Sequence, residues 1–367
     1  MHDDYIEYSC IGHQLEAMKM VLQIIGLVFG ALIIVFVARS FYVSQPLFKE
    51  KIRQAPDNAF ALAPVEQALS FARTKNGKSL LVVAMNREGV RAIDLAAATA
   101  SQGSEPLDFL RALGDEKLRA VMNSDATIYN WRDLDVPFDT QSGIIAAGVN
   151  FKAHADETGL EDGPFLFPKL STPSAWQAPV TKRTRLDYEV ELCAVSIQDI
   201  APGESGRFGF VLCNDLTDRW ALLRHINLKK PMGRTGFPEG KGGEGMLPVG
   251  AILIVPRKPD FYQQIELGLA VNNRLRQRDS AGLMIWDAPS IGQKALALCD
   301  QDFYLHGEVI RLAECGGLKK GTAILLGTPE GVAFQMPNIW MPWAYLRRGD
   351  AVTAFGTHLG VLETQIE

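Results

Sequence analysis

Cysteine is scarce in this 367-residue chain, and its distribution argues against two kinds of site. None of the five cysteines forms a CxxC pair or a Cys/His spacing typical of zinc. The sequence therefore predicts neither a zinc site nor a disulfide framework. Cys193 and Cys213 lie in apolar, strand-like runs, so we expect buried thiols and a reducing compartment.

Runs of basic residues are also missing. The 37 Lys and Arg residues are nearly balanced by 42 Asp and Glu residues, and no stripe of basic residues appears. Nucleic acid is therefore not expected as a partner. Internal repeats and low-complexity tracts are absent too, and the length suffices for one or two domains with a sizeable core.

One long hydrophobic run is present, at residues 20–38, with Gln23 as its single strongly polar member. As a helix it would extend about 28 Å, close to the hydrocarbon thickness of a bilayer. We predict a transmembrane anchor; a cleaved signal peptide and a buried core helix are the alternatives. Against a signal peptide, the run is long and no A-x-A cleavage site directly follows it.

The flanking charges predict the orientation of this anchor. Before the run only Lys19 is basic, among several acidic residues, whereas four bases follow it. These bases are Arg39, Lys49, Lys51 and Arg53. The positive-inside rule then places the large C-terminal part in the cytoplasm.

The rest of the chain predicts an α+β, β-rich protein. After a tail (1–19), the anchor and a linker (39–61), residues 62–140 combine short strands with a helix, as in a small α+β domain. Residues 141–367 alternate short strands with Gly/Pro turns, which favours a β-roll or sandwich over a doubly wound sheet.

Two carboxylates define the strongest chemical signal, at Glu189 and Glu191. In a strand they emerge on one face, while alternate residues from Leu186 to Ala194 suit a packed core. Adjacent carboxylates repel unless a cation or proton lies between them, and Mg²⁺ would meet that need. The alternative is an ordinary strand with a solvated acidic face.

Three further segments carry candidate site residues. Asp215 follows an apolar strand and offers a third oxygen ligand, or else caps a helix. His154 and Glu157 are three residues apart, so on a helix they form a general-base pair, or else a solvated surface pair. Lys241 lies in a glycine-dense loop, where it stabilises an oxyanion or is solvated and mobile.

The order of these motifs resembles the fumarylacetoacetate hydrolase family from about residue 144 to the C-terminus. The matching segments are G-V-N-F-K-x-H-x-x-E (148–157), L-D-Y-E-V-E-L (186–192), N-D-x-T-x-R (214–219), G-K (240–241) and G-T-P-x-G-V (327–332). The resemblance implies a mixed β-roll, a dimer and a site for Mg²⁺, with Mn²⁺ or Ca²⁺ as alternatives.

The resemblance also implies a role for each residue. Metal ligands would be Glu189, Glu191 and Asp215; catalytic residues would be His154, Glu157 and Lys241; and substrate-binding residues would be Lys169, Arg219 and Thr328. The expected reaction is metal-dependent hydrolysis of a C–C bond in an acylpyruvate or another β-diketo or 2-oxo acid. The alternatives are a 2-oxo acid decarboxylase, isomerase or dehydratase, and a membrane-tethered binding protein without activity.

The chain departs from the family pattern just after Asp215. Asp218 and Trp220 stand where alanine and aspartate are usual, and Leu222 replaces a polar residue. We expect Asp218 to add negative charge near the metal, and Trp220 and Leu222 to alter the substrate pocket. Leu170 also replaces the proline that usually follows the residue corresponding to Lys169.

Overall fold

The computed structural model describes residues 3–44, 48, 50–140, 143–160 and 162–367, with side chains from residue 16 onward. The chain divides into two compact units. One consists of Met1–Gln45 with Gln335–Ala344, and the other of Pro46–Phe334 with Tyr345–Glu367. Lys49, one of the bases used to predict orientation, lies outside the described residues.

The α-helices are α1 (Asp3–Val43), α2 (Leu95–Thr99), α3 (Pro106–Ala120), α4 (Lys152–Thr158), α5 (Arg219–His225), α6 (Phe237–Lys241) and α7 (Ala288–Ala297). The strands are β1 (Ala68–Thr74), β2 (Ser79–Met85), β3 (Gly89–Asp94), β4 (Thr127–Asn130), β5 (Leu134–Asp135), β6 (Ile144–Gly148), β7 (Phe165–Lys169), β8 (Leu186–Asp187), β9 (Val190–Ser196), β10 (Phe208–Asn214), β11 (Thr217–Asp218), β12 (Val249–Pro256), β13 (Glu266–Val271), β14 (Arg274–Ser280), β15 (Phe303–Leu305), β16 (Glu308–Ile310), β17 (Ala323–Leu325), β18 (Ala351–Gly356) and β19 (Gly360–Gln365).

A large mixed sheet forms the framework of the second unit. Its strand order is β4-β3-β2-β1-β12-β10-β9-β17-β6-β7, and β5 also pairs with β1. Adjacent strands are antiparallel except for β17 and β6, which are parallel. A second, four-stranded sheet has the order β14-β13-β18-β19. These sheets and helices confirm the predicted α+β class.

Both faces of the large sheet are buried at its centre, and residue alternation assigns side chains to each. On β9, Val190, Leu192 and Ala194 pack in one hydrophobic core, and Cys193 and Val195 pack in the other. The predicted apolar face of this segment is therefore confirmed. Every residue of β9 and β10 is buried, which places the centre of the sheet away from water.

The segment from residue 62 to 140 contributes strands to this same sheet. β1 pairs with β12 on one side and with β2 on the other, so β1–β4 extend the sheet that also holds β9 and β10. The short strands expected within residues 62–140 are confirmed, for example as β2 and β3. The domain boundaries at 61/62 and 140/141 stay predictions.

Helix α1 contains the predicted hydrophobic run. From Glu16 to Val43 it is long and apolar enough to cross a membrane, and none of its most apolar window is buried. Within the same unit, Ser40 Oγ donates a hydrogen bond to Asn338 Oδ1 (2.9 Å), and the Phe41 ring stacks on Trp343 with centroids 5.2 Å apart.

The prediction of free thiols at Cys193 and Cys213 is wrong. These cysteines lie on the adjacent antiparallel strands β9 and β10, and they form a disulfide with Cα atoms 6.0 Å apart. Cys299 and Cys315 form a second disulfide. Strand register brings the first pair within bonding distance, and spacing along the sequence does not contain that information.

Candidate active site

Three carboxylates meet at the ends of the central strands. Glu189 immediately precedes β9, Glu191 lies within it, and Asp215 immediately follows β10. Because β9 and β10 are antiparallel, the start of one lies beside the end of the other, and Val190 pairs with Asn214. The backbone N–H of Asp215 donates to the carbonyl of Glu189 (2.8 Å). One oxygen from each carboxylate lies within 4.8 Å of the other two.

The burial of these carboxylates excludes their alternative interpretations. Glu189 and Glu191 are 4% and 2% exposed, so they do not form a solvated acidic face. Asp215 is fully buried and does not cap α5; that role belongs to Asp218, whose side chain accepts hydrogen bonds from two N–H groups of the first turn.

Three buried cations surround the cluster. Lys241 Nζ donates to Glu189 Oε2 (2.6 Å) and to Asp215 Oδ2 (2.7 Å). Lys169 Nζ lies 2.6 Å from Asp215 Oδ1 and donates to two backbone carbonyls. Arg219 Nη2 donates to Glu189 Oε1. Lys241 is 3% exposed and ends helix α6, so the expected glycine-dense loop is wrong at this residue, and so is the alternative of a solvated, mobile lysine.

Burial and these contacts shift the pKa values of the two glutamates in opposite directions. Burial raises the pKa of Glu189, but Lys241 and Arg219 outweigh it and lower that pKa to about 2. Burial, together with Asp215 and Glu189, holds the pKa of Glu191 well above its ordinary value. Burial lowers the pKa of Lys169 to about 8, although Asp215 opposes the shift. Glu191 is therefore the carboxylate with the least compensation from cations.

The donor set fits a hard divalent cation. With Asp187 included, four buried carboxylates face three buried cations, which leaves one excess negative charge. Glu191 has no ion pair with a lysine or arginine among the described residues, and one of its oxygens accepts from the N–H of Gly327 (2.7 Å). Both oxygens of Asp215 are held by lysines, Oδ1 by Lys169 at 2.6 Å and Oδ2 by Lys241 at 2.7 Å. Oxygen ligands of this kind suit Mg²⁺, Mn²⁺ or Ca²⁺.

The predicted general-base pair forms on helix α4. His154 Nδ1 lies 3.1 Å from Glu157 Oε2, and both side chains are more than nine-tenths buried. Glu157 also accepts from the N–H of Gly331, which follows the G-T-P turn. A carboxylate at Nδ1 fixes the orientation and the tautomer of the imidazole, so that Nε2 is the nitrogen that can accept a proton. The alternative of a solvated surface histidine is wrong, since His154 is 6% exposed.

A cavity of about 140 Å³ brings the pair and the cluster together. Its lining includes His154, Glu189, Glu191, Arg219 and Lys241, so the structure unites these predicted residues in one space. Neither Asp215 nor Glu157 lines the cavity; each contacts a residue that does.

The remaining predicted residues occupy different positions. Thr328 lines the cavity, but its hydroxyl donates to the carbonyl of Val190 (2.8 Å) and accepts from Gln277 Nε2 (2.8 Å). Lys169 is fully enclosed beneath Asp215 and does not line the cavity. Their roles in substrate binding stay predictions.

Asp187 is a site residue that sequence reasoning missed. It accepts from Arg219 Nε (2.9 Å) and from the N–H groups of Ala333 (3.0 Å) and Phe334 (3.1 Å). It thereby orients the guanidinium that contacts Glu189. The available signal was its position in L-D-Y-E-V-E, two residues before the first ligand candidate.

Of the four departures from the family pattern, at Leu170, Asp218, Trp220 and Leu222, Leu222 alone lines the cavity. Trp220 instead lies under the guanidinium of Arg185, whose Cζ atom is 4.7 Å from the centroid of the Trp220 ring. Asp218 uses its carboxylate to cap α5 and to accept from the N–H of Arg185. The expectation that Trp220 alters the pocket directly is therefore wrong, whereas the expectation that Asp218 adds negative charge near the metal stays a prediction.

Comparison with known proteins agrees with this geometry. Residues 143–367 match the family profile described as fumarylacetoacetate (FAA) hydrolase C-terminal. The chain belongs to the fumarylacetoacetate hydrolase family. Members of this family are enzymes that act on small acids and use divalent metals.

Relatives within the family differ in the reaction they catalyse. Oxaloacetate tautomerase YisK of Bacillus subtilis is 27% identical over 243 residues, which cover 61% of this chain and 69% of the relative. The 2,4-didehydro-3-deoxy-L-rhamnonate hydrolase of Sphingomonas sp. is 27% identical over 249 residues, which cover 63% and 75%.

A solved structure shows the same fold. The fumarylacetoacetate hydrolase of Exiguobacterium antarcticum superposes with a TM-score of 0.57 at 21% identity, covering 82% of this chain and 99% of that one.

Proposed function

We propose that this chain is a divalent-metal-dependent hydrolase that cleaves a C–C bond in an acylpyruvate or a related β-diketo or 2-oxo acid. The observation that supports this most directly is the shared cavity. Its lining includes the imidazole of His154, which is held by Glu157, together with the carboxylates of Glu189 and Glu191. The proposed general base and the proposed cation site thus line one space that a small acid can enter.

The residues Glu189, Glu191 and Asp215 would hold the cation, for which Mg²⁺ is the first candidate. When bound, such an ion polarises the adjacent oxygens of a 2-oxo acid. Lys169 keeps Asp215 in position from below, and Arg219 does the same for Glu189.

His154 would take a proton from water through Nε2, because Nδ1 is turned toward Glu157. The water oxygen bonds to the distal carbonyl carbon, and the C–C bond then breaks with its electron pair on the departing pyruvate carbon. That carbon takes up the proton, and the products are pyruvate and a carboxylic acid. Two N–H groups of the Lys241 ammonium donate hydrogen bonds to Glu189 and Asp215. The third N–H would donate to the oxyanion that forms on the carbonyl.

An isomerase or tautomerase is the second candidate. It is favoured by the tautomerase among the relatives, at 27% identity. Such an enzyme would need His154 only to move a proton between carbon and oxygen, and no bond to water would form. A decarboxylase would likewise need no attacking water.

We also propose that α1 anchors the protein in a membrane and that the protein forms a homodimer. The anchor is supported by the length and exposure of the segment Glu16–Val43. The flanking charges support a cytoplasmic catalytic part, whereas the two disulfides are typical of an oxidising compartment. Counting free thiols in protein that is isolated, denatured and left unreduced distinguishes the two locations.

The test is a product assay on acylpyruvates and oxaloacetate, with Mg²⁺ and with a chelator. We expect pyruvate release from acylpyruvates that requires Mg²⁺ and that falls by at least about a hundredfold in His154→Ala. His225→Ala is the matched control, because His225 is exposed on α5 and does not line the cavity. Retained oxaloacetate tautomerisation or decarboxylation without hydrolysis would favour the second candidate. No turnover of any substrate would support a binding protein.

A further inference from the structure

The cavity has two chemically different ends. The ionisable residues gather at one end, and the other end is built from aliphatic and aromatic side chains. These are chiefly Leu160, Leu222, Leu223, Ile226, Met232 and Phe237. Phe237 packs against Phe165 and Phe167, with ring centroids 4.9 and 5.0 Å apart, so this wall is continuous and apolar.

No cation among the described lining residues is separate from the carboxylate cluster. Among the described residues that line the cavity, the only cations are Arg219 and Lys241. Arg219 is bonded to Asp187 and Glu189, and Lys241 to Glu189 and Asp215. Both therefore belong to the carboxylate cluster, and a negative charge placed among the leucines would have no partner.

Helix α5 supplies much of this apolar wall. Leu222, Leu223 and Ile226 come from its cavity-facing side and the residue that follows it, whereas Arg224 and His225 are exposed to solvent. The polar side chains of the helix thus point away from the cavity. Leu222 is 2% exposed, and the Cβ that any other residue would add at Gly240 would collide with it. The wall is close-packed, so its chemistry is fixed by the sequence.

We infer that the substrate is a monocarboxylic 2-oxo or β-diketo acid whose far substituent is an alkyl or aryl group, and that a second carboxylate there is excluded. This inference rests on the proposed function. The single carboxylate and the reacting carbonyl lie at the charged end, and the substituent lies against the leucines and phenylalanines. Each methylene buried there improves binding about fourfold, whereas a buried carboxylate without a partner is strongly unfavourable.

The experiment compares kcat/KM for acetylpyruvate, butanoylpyruvate, hexanoylpyruvate, benzoylpyruvate and fumarylpyruvate with the full chain and saturating Mg²⁺. We expect kcat/KM to rise by about fourfold per methylene until the cavity is filled. Hexanoylpyruvate or benzoylpyruvate should exceed fumarylpyruvate by at least about tenfold. Equal or faster turnover of fumarylpyruvate would overturn the inference while leaving the proposed hydrolase intact. Turnover of none of the five would refute the proposed function instead.

A charge-introducing variant provides the second arm. Met232 is only half-buried in the apolar wall, so Met232→Arg adds a cation there at a position that tolerates a long side chain. The ratio of fumarylpyruvate to hexanoylpyruvate turnover should rise at least about tenfold. Leu228→Arg adds the same charge at a side chain that is 83% exposed and outside the cavity, and it should leave the ratio unchanged.

If Met232→Arg does not fold, as judged by its melting curve, Leu160→Lys replaces it, since Leu160 is also half-buried in the lining. A folded variant whose substrate ratio equals that of the unmodified protein would contradict the assignment of this wall to the substituent.

Discussion

Replacing Glu191 by Gln tests two effects of the carboxylate cluster separately: its cost to stability without metal, and its capacity to bind a metal ion. Gln keeps the size of the side chain and an oxygen that can accept from the N–H of Gly327, so the local packing is preserved. It removes the charge of the one ligand candidate whose pKa is held well above its ordinary value by burial, Asp215 and Glu189. We therefore expect opposite effects on stability without metal and on the response to metal.

Without metal at pH 8, Glu191→Gln should raise the free energy of unfolding by about 1 kcal/mol, because an uncompensated buried charge is removed. The sign depends on pH. Since the pKa of Glu191 is raised in the folded state, protonation favours folding, and stability falls as pH rises from the ordinary pKa toward the raised one. The advantage of Gln should therefore shrink as the pH is lowered toward 5.

With Mg²⁺ or Mn²⁺ at a hundred times its Kd, the unmodified protein should gain about 2.7 kcal/mol. At about 2.1 cal/mol/K per residue over about 320 folded residues, this corresponds to about 4 °C in Tm. Glu191→Gln should lose most of that increase.

Differential scanning fluorimetry with metal and with chelator measures both effects, and Glu308→Gln, at an exposed residue of β16, is the matched control. An undiminished metal response in Glu191→Gln would refute the metal site. A drop of several degrees without metal would refute the argument from excess negative charge.

Three further predictions follow from the same structure. Metal binding should release a proton when the pH lies below the raised pKa of Glu191, so the metal affinity should increase with pH. Calorimetry in two buffers of different ionisation enthalpy measures the proton release, and Glu191→Gln should abolish that release. Lys169→Met should lower the free energy of unfolding by about 3 kcal/mol in urea titrations, because Asp215 loses a buried partner, and a change below 1 kcal/mol would show that the pair is dispensable. Denatured but unreduced protein should react with maleimide at one of its five cysteines and at all five after reduction; five before reduction would mean that neither disulfide forms.

The parts of the site that follow local periodicity could be predicted from the sequence. Alternation along β9 predicted which residues enter the core, and the i, i+3 spacing predicted the contact between His154 and Glu157. The order of motifs, through the family resemblance, indicated that Glu191 and Asp215 belong to the same site as Glu189. Each of these inferences needs only spacing within one element or a known order of elements.

The parts that depend on long-range contacts could not be predicted in this way. The N–H that binds Glu191 belongs to Gly327, 136 residues later, and the disulfide of Cys193 depends on the register between β9 and β10. Lys241 was assigned to a loop because glycines surround it, yet a Pro at the start of α6 and tertiary packing order it as a helix. Asp187 had no spacing signal for its bond to Arg219.

The turn that begins at Gly327 contacts both the proposed general base and the proposed ligand cluster. Its first N–H binds Glu191, the N–H of Gly331 binds Glu157, and Phe334 binds Asp187 through its N–H and covers the guanidinium of Arg219 with its ring. One backbone segment of about eight residues therefore holds both the proposed base and the proposed ligand cluster in position. Gly331 adopts a φ of +104°, and a Cβ there would collide with the carbonyl of Arg276, so no other residue fits without moving this segment. A single substitution at that glycine would displace the proposed base and the carboxylates together. The distance between these two groups is therefore set by the backbone of the turn and not by either group of side chains alone.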